Sequence, residues 1–166
     1  MGLKEIILEV LSELHEFLPL LIQEIPSEVF LMLPFITFFY TLIASFFPAT
    51  IYADFGIWSI EVSSPFVGRF KWFSYFVSAV SIVSNFLVIP NAAYFILMVI
   101  CFFVLVYAAF LGFWTILKLI LCIPSFDPYD VKAGLCFLAI FISAPACYMV
   151  GLVAMLNSLK MYVAIM

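Results

Sequence analysis

Cys101, Cys122, Cys136 and Cys147 are the most reactive side chains in this sequence, and none lies in a CxxC pair. Cys122 follows Lys118 by four residues and Cys136 follows Lys132 by four. Cys101 precedes Lys118 by 17 residues, and Cys147 follows Lys132 by 15. On antiparallel neighbouring helices, Cys101 with Cys147 and Cys122 with Cys136 would sit at matching depths. Two disulfides or a thiolate site is one reading of that placement. The favoured reading is four buried thiols that pack as small hydrophobes, inert in a reducing compartment.

Carboxylates offer a second chemistry. Glu5, Glu9, Glu13 and Glu16 lie near His15, and Glu9, Glu13 and Glu16 share a helix face. Carboxylate and imidazole are ligands for hard and borderline cations, but a solvated acidic face is the stronger expectation. Asp54, Glu61, Asp127 and Asp130 would be the acid and base groups of an enzyme acting on lipids. A third pattern is Ser74, Ser78, Ser81 and Asn85, spaced 4, 3 and 4 along one helix face. Such a stripe can line a polar path or glue helices together, and packing is the commoner use. No GxSxG, HExxH, phosphate loop or dinucleotide fingerprint occurs. The long apolar runs contain no His, which excludes bis-His haem, and nothing marks Met or Cys haem ligation. No catalytic residue, metal or cofactor is expected; bound lipid is.

The elements that position these residues follow from composition. The chain has 166 residues, 68% apolar and 10% charged, where a soluble domain carries about 25% charged residues. It cannot bury its apolar surface in one core and still cover itself with polar groups. The expected class is an all-α integral membrane protein, because backbone groups in lipid must be satisfied within helices. The central run, 72–117, holds 46 residues without Asp, Glu, Lys, Arg or His. One straight helix of that length would reach roughly 69 Å, against a ~30 Å hydrocarbon layer. Ile89-Pro90-Asn91 is the natural turn, so the run reads as a hairpin of two spans. Residues 29–53 and 133–159 are charge-free as well and read as the first and fourth spans. Pro145 is expected to kink the last, with Ser143 absorbing freed backbone polarity.

Residues 1–28 read as an acidic amphipathic helix. Leu3, Ile7, Val10, Leu14, Phe17 and Leu21 form a heptad seam suited to a partner helix, opposite the glutamates. Six of the ten acids lie in these 28 residues, an unusual charge for a helix that lies on anionic lipid. Small residues mark two further packing faces, Ala108 with Gly112, and Ala139, Ser143, Cys147 and Gly151 at four-residue spacing. Segments 54–71 and 118–132 read as an interfacial loop and a connection, and 160–166 as a short tail. Those two segments carry Arg69, Lys71, Lys118 and Lys132, against Lys4 and Lys160 on the other side. The positive-inside rule therefore puts both loops inside and both termini outside. With one Arg and a net charge of −4, direct binding of nucleic acid is not expected.

The stretch Ser84-Asn85-Phe86-Leu87-Val88-Ile89-Pro90-Asn91-Ala92-Ala93, running into an apolar helix that ends with Trp114 and Lys118, resembles the distal part of the minor coat proteins at filamentous phage tips. That resemblance implies a small, non-enzymatic helical protein that sits in a membrane before assembly. The functional expectation is a non-enzymatic packing or structural subunit of a multi-subunit membrane assembly, with lipids and other membrane subunits as partners. That assembly would be an energy-transducing complex, a secretion or conjugation apparatus, or a viral membrane or tip, in a cell, organelle or virion membrane. An oligomeric channel or transporter lined by the Ser/Asn stripe is the alternative, and a lipid-acting enzyme the second alternative.

Overall fold

Proline and charge set the helix boundaries. In the computed structural model, which describes residues 3–87, 89–125, 127 and 129–165 but not the side chains of Leu3, Lys4, Leu11, Leu14 and His15, five α-helices are joined by short connections. The first, α1 (Leu3–Glu24), runs unbroken through Pro19. Pro26 then caps α2 (Ser27–Phe46). After a two-stranded hairpin come α3 (Phe70–Phe86) and α4 (Asn91–Cys122). Pro90 caps α4 at φ −60°, ψ 142°, and its fixed φ and missing N–H suit the edge of a helix and not its interior. The last helix, α5 (Val131–Ile165), continues through Pro145 and absorbs most of the expected tail. The Ser143 hydroxyl bonds the Ile140 carbonyl at 2.6 Å. The carbonyl that Pro145 frees is that of Phe141, four residues back, so Ser143 does not compensate for it.

Among the described residues three helices are long and apolar enough to cross a membrane: α2, α4 and α5. With 17 residues, α3 reaches about 26 Å. The predominantly helical membrane class thus holds, with one addition. Residues read as the end of the first span and as a loop form β1 (Thr50–Asp54) and β2 (Ser59–Ser63), paired antiparallel with Tyr52 opposite Glu61. The first span consequently ends at Phe46 and not at residue 53. The turn is built by Gly56, at φ +79°, whose amide donates to Asp54 Oδ1 at 2.9 Å.

The 46-residue run breaks between α3 and α4, and Tyr107 of α4 lies against Phe70 and Phe73 of α3, but the main contacts of each helix are made elsewhere. The helix α3 packs on α2, and α4 packs on α5. Pairings such as Thr37 with Ser78 and Thr41 with Ser74 make α2 and α3 antiparallel. Gly112 near Ala144 and Gly151 near Ala108 do the same for α4 and α5. Contacts from α5 to α2 and α3 join the two pairs. One core lies between helices, around Phe66, Phe70, Val77, Cys101 and Val150. A second lies where the β-hairpin covers the end of α4 and the start of α5, around Ala53, Val62, Leu119, Cys122 and Ile140.

Candidate functional site

Every residue of the Ser/Asn stripe faces inward. Ser74, Ser78 and Ser81 are at most 3% exposed. The hydroxyls of Ser74 and Thr41 lie 2.6 Å apart, and those of Ser78 and Thr37 lie 2.8 Å apart. Each threonine also donates back to its own helix, Thr41 to the Thr37 carbonyl and Thr37 to the Pro34 carbonyl. Ser45 meets Tyr75 at 3.4 Å one turn further along. The result is a ladder of hydroxyls that closes α2 on α3. Each hydroxyl has its partner inside the protein, and the two Thr–Ser rungs are buried, while the Ser45–Tyr75 rung is half-buried. The threonine half was visible in sequence as Thr37, Thr41 and Ser45 at four-residue spacing; its registration against the serines was not.

At the far end of the same helices, Asn85 donates to the Phe30 carbonyl at 2.9 Å and accepts from Lys160 Nζ. Lys160 also donates to the Ser84 carbonyl at 3.4 Å and lies over the Phe30 ring, 5.9 Å from its centroid. This half-buried ammonium thus holds α2, α3 and α5 at one point. Asn157, 1% exposed, adds a bond to the Val77 carbonyl at 3.2 Å, and Ser158 one to the Met98 carbonyl at 3.3 Å. Counting Lys160 only toward the balance of positive charge between the two sides misses this bonding. Its position three residues after Asn157 and two after Ser158 was the available signal.

The small residues of α4 and α5 face each other. Ala108, Gly112, Ser143, Cys147 and Gly151 are buried, and Ala139 is half-buried in the second core. A Cβ on Gly112 would stand 3.0 Å from the Tyr148 ring and 3.3 Å from the Ala144 carbonyl, so the backbones meet there only because side chain is missing. All four cysteines are free. Cys101 and Cys147 share the first core, and Cys122 and Cys136 pack together in the second.

The four loop acids are engaged in local structure. Asp54 holds the β-turn, and Asp127 Oδ1 accepts from the Tyr129 amide at 3.0 Å. Asp130 caps α5 through the Lys132 and Ala133 amides at 2.9 and 3.2 Å. Glu61 accepts from the Tyr52 hydroxyl across the strand pair at 3.4 Å. No three His, Cys, Asp or Glu side chains converge as metal ligands among the described residues.

By contrast, among the described residues α1 packs on the bundle mainly at α5. On its apolar side Ile6, Ile7, Val10, Phe17 and Leu20 are exposed, and Leu21 is half-buried. The seam positions Leu3 and Leu14, and His15 beside the glutamates, fall outside the described side chains. Glu5, Glu9, Glu13 and Glu16 belong to the exposed part of the helix. No known protein family, curated protein or solved structure matches the chain.

Proposed function

We propose that this protein is a non-enzymatic packing subunit of a larger membrane assembly, and that α1 is the element that joins it to a partner. The observation that carries this reading is the state of α1: an acidic amphipathic helix whose described apolar side chains are mostly exposed, while the buried polar side chains of the bundle all have hydrogen-bond partners. An acidic helix gains little from an anionic lipid surface, whereas a heptad seam suits a second helix. In this reading α3 is the fourth span. Its 17 residues meet the lower limit for crossing a bilayer, and it is zipped to α2 along its length. Both loops then share one side, which the count of Arg69, Lys71, Lys118 and Lys132 makes the inner one, leaving both termini outside. The engaged loop acids and the buried, mutually bonded Thr–Ser pairs leave the enzyme and channel readings without support of their own.

Native mass spectrometry of the protein extracted in mild detergent from its source membrane or particle tests the proposal. The expected result is a defined hetero-complex that is lost when Ile7, Val10 and Phe17 are replaced together by Ser, and again when Glu9, Glu13 and Glu16 are changed to Lys. A homo-oligomer without partners, or a hetero-complex indifferent to both sets of changes, would overturn it.

A further inference from the structure

Arg69 and Lys118 are 49 positions apart in sequence and line one hollow in the structure. The hollow lies between the turn that follows β2, the start of α3 and the last turns of α4. Its volume is about 200 Å³, room for a small polar group of roughly seven water volumes at ~30 Å³ each. Ser63, Ser64 and Thr115 add polar surface, and Tyr107 and Trp114 form its membrane-side wall. Among the described residues no carboxylate lines it. The nearest acid in sequence, Glu61, takes the Tyr52 hydroxyl on its carboxylate and offers only its backbone carbonyl to Lys118, at 3.3 Å. The Arg69 guanidinium has no ion-pair partner among the described residues. Two cations therefore converge on a concave site without a counter-anion.

A second observation fixes what kind of anion fits. Phe103, Tyr107, Phe110 and Trp114 follow 4-3-4 spacing along α4 and are all exposed, so they share one face of the helix. Phe110 and Trp114 are stacked, and Tyr107 packs on Phe70 and Phe73 of α3. An aromatic strip therefore starts in the hollow and descends along the apolar part of α4. A soluble anion has no use for that strip, whereas the acyl chains of a lipid would lie along it. Basic pockets between spanning helices are the usual seats of anionic headgroups.

We infer that this hollow binds the phosphate headgroup of an anionic phospholipid, with Arg69 and Lys118 as its charge partners and the Phe103-to-Trp114 strip as its acyl track. The site stands on its own residues and does not depend on what α1 binds.

The test uses the full-length protein in mild detergent, titrated with phosphatidylglycerol and, in a parallel arm, with phosphatidylcholine of the same chains, and read by native mass spectrometry. One phosphatidylglycerol should bind in preference to phosphatidylcholine. Each cation near an anionic lipid is worth about fivefold in affinity, so Arg69→Gln should weaken binding about fivefold and R69Q/K118Q about 30-fold. Lys132→Gln, on the same side of the molecule but outside the hollow, should change it less than twofold. Among the described residues the Arg69 side chain makes no hydrogen bond or ion pair, so the single R69Q variant keeps the test decisive if the double variant does not fold. Equal binding of the two lipids, or unchanged affinity in R69Q, would overturn the site. Displacement of the lipid by millimolar inorganic phosphate would overturn its assignment to a lipid.

Discussion

Replacing Gly112 by Ala places a methyl group 3.0 and 3.1 Å from two carbons of the Tyr148 ring and 3.3 Å from the Ala144 carbonyl oxygen. The same change at Gly151 meets nothing closer than Leu105 Cδ1 at 3.5 Å, an ordinary contact. Overpacking costs about 1–3 kcal/mol, and Ala in place of Gly returns up to about 1 kcal/mol of helix propensity. Gly112→Ala should therefore destabilise the bundle by about 0–2 kcal/mol, while Gly151→Ala should be neutral or stabilising by up to about 1 kcal/mol, from the propensity gain alone. The Tyr148 ring is 42% exposed and can swing toward lipid, but the Ala144 carbonyl belongs to a helix and cannot. Tyr148→Ala in the Gly112→Ala background should thus remove part of the penalty and leave the part due to the carbonyl. Thermal unfolding in detergent, followed by a thiol-reactive dye that reports exposure of the buried Cys101, Cys122 and Cys147, measures all four proteins. A Gly112→Ala variant at least as stable as the parent, with Gly151→Ala the weaker of the two, would refute the α4–α5 contact described above.

The hydroxyl ladder predicts coupling between helices. A double-mutant cycle of Thr41→Val with Ser74→Ala should give a favourable interaction of about 0.6 kcal/mol, read in the same unfolding assay. Asn85→Leu leaves both Lys160 Nζ and the Phe30 carbonyl short of a partner, so it should cost about 1–3 kcal/mol. Lys160→Met, which removes the charge itself, should cost less than Asn85→Leu. Gly56→Ala meets no atom within 4 Å, but it forces a side chain to φ +79°; a loss of about 1 kcal/mol, confined to the hairpin, should appear as faster amide exchange in β1 and β2.

Which parts of this structure a reader can take from the sequence depends on how local the signal is. Helical membrane character is written in the charge-free runs, and the break before α4 is written in Pro90, because both act within a few residues. The β-hairpin was written as well, though faintly. Ser59, Glu61 and Ser63 alternate with Ile60 and Val62, a period of two, and Asp54-Phe55-Gly56 supplies the turn. Thr50 to Ala53 followed an apolar helix without a charge between them, so the strand read as the end of a span. Helix pairing was not legible, since Ser74, Ser78 and Ser81 announce that α3 packs on something without naming α2 over α4. The choice rests on Thr37 and Thr41 matching the serines in depth, a long-range fact that single-helix periodicity does not carry. The meeting of Arg69 with Lys118 is of the same kind, set by where the hairpin folds back over the end of α4.

The order in which the bonds of Lys160 become available has a consequence for biogenesis. Both halves of the hydroxyl ladder lie before residue 79, so the α2–α3 pair can close while α4 is still being synthesised. Lys160 is made after Phe30, Ser84 and Asn85, the three residues it holds. Until it emerges, the Asn85 carbonyl oxygen lacks its ammonium partner, and the first helical pair is a half-finished product at the insertion machinery. The bonds of Lys160 are thus the last of this cluster that can form as the chain is made. A chain that lacked Lys160 would keep the α2–α3 ladder and lose the ammonium that ties Phe30, Ser84 and Asn85 to α5.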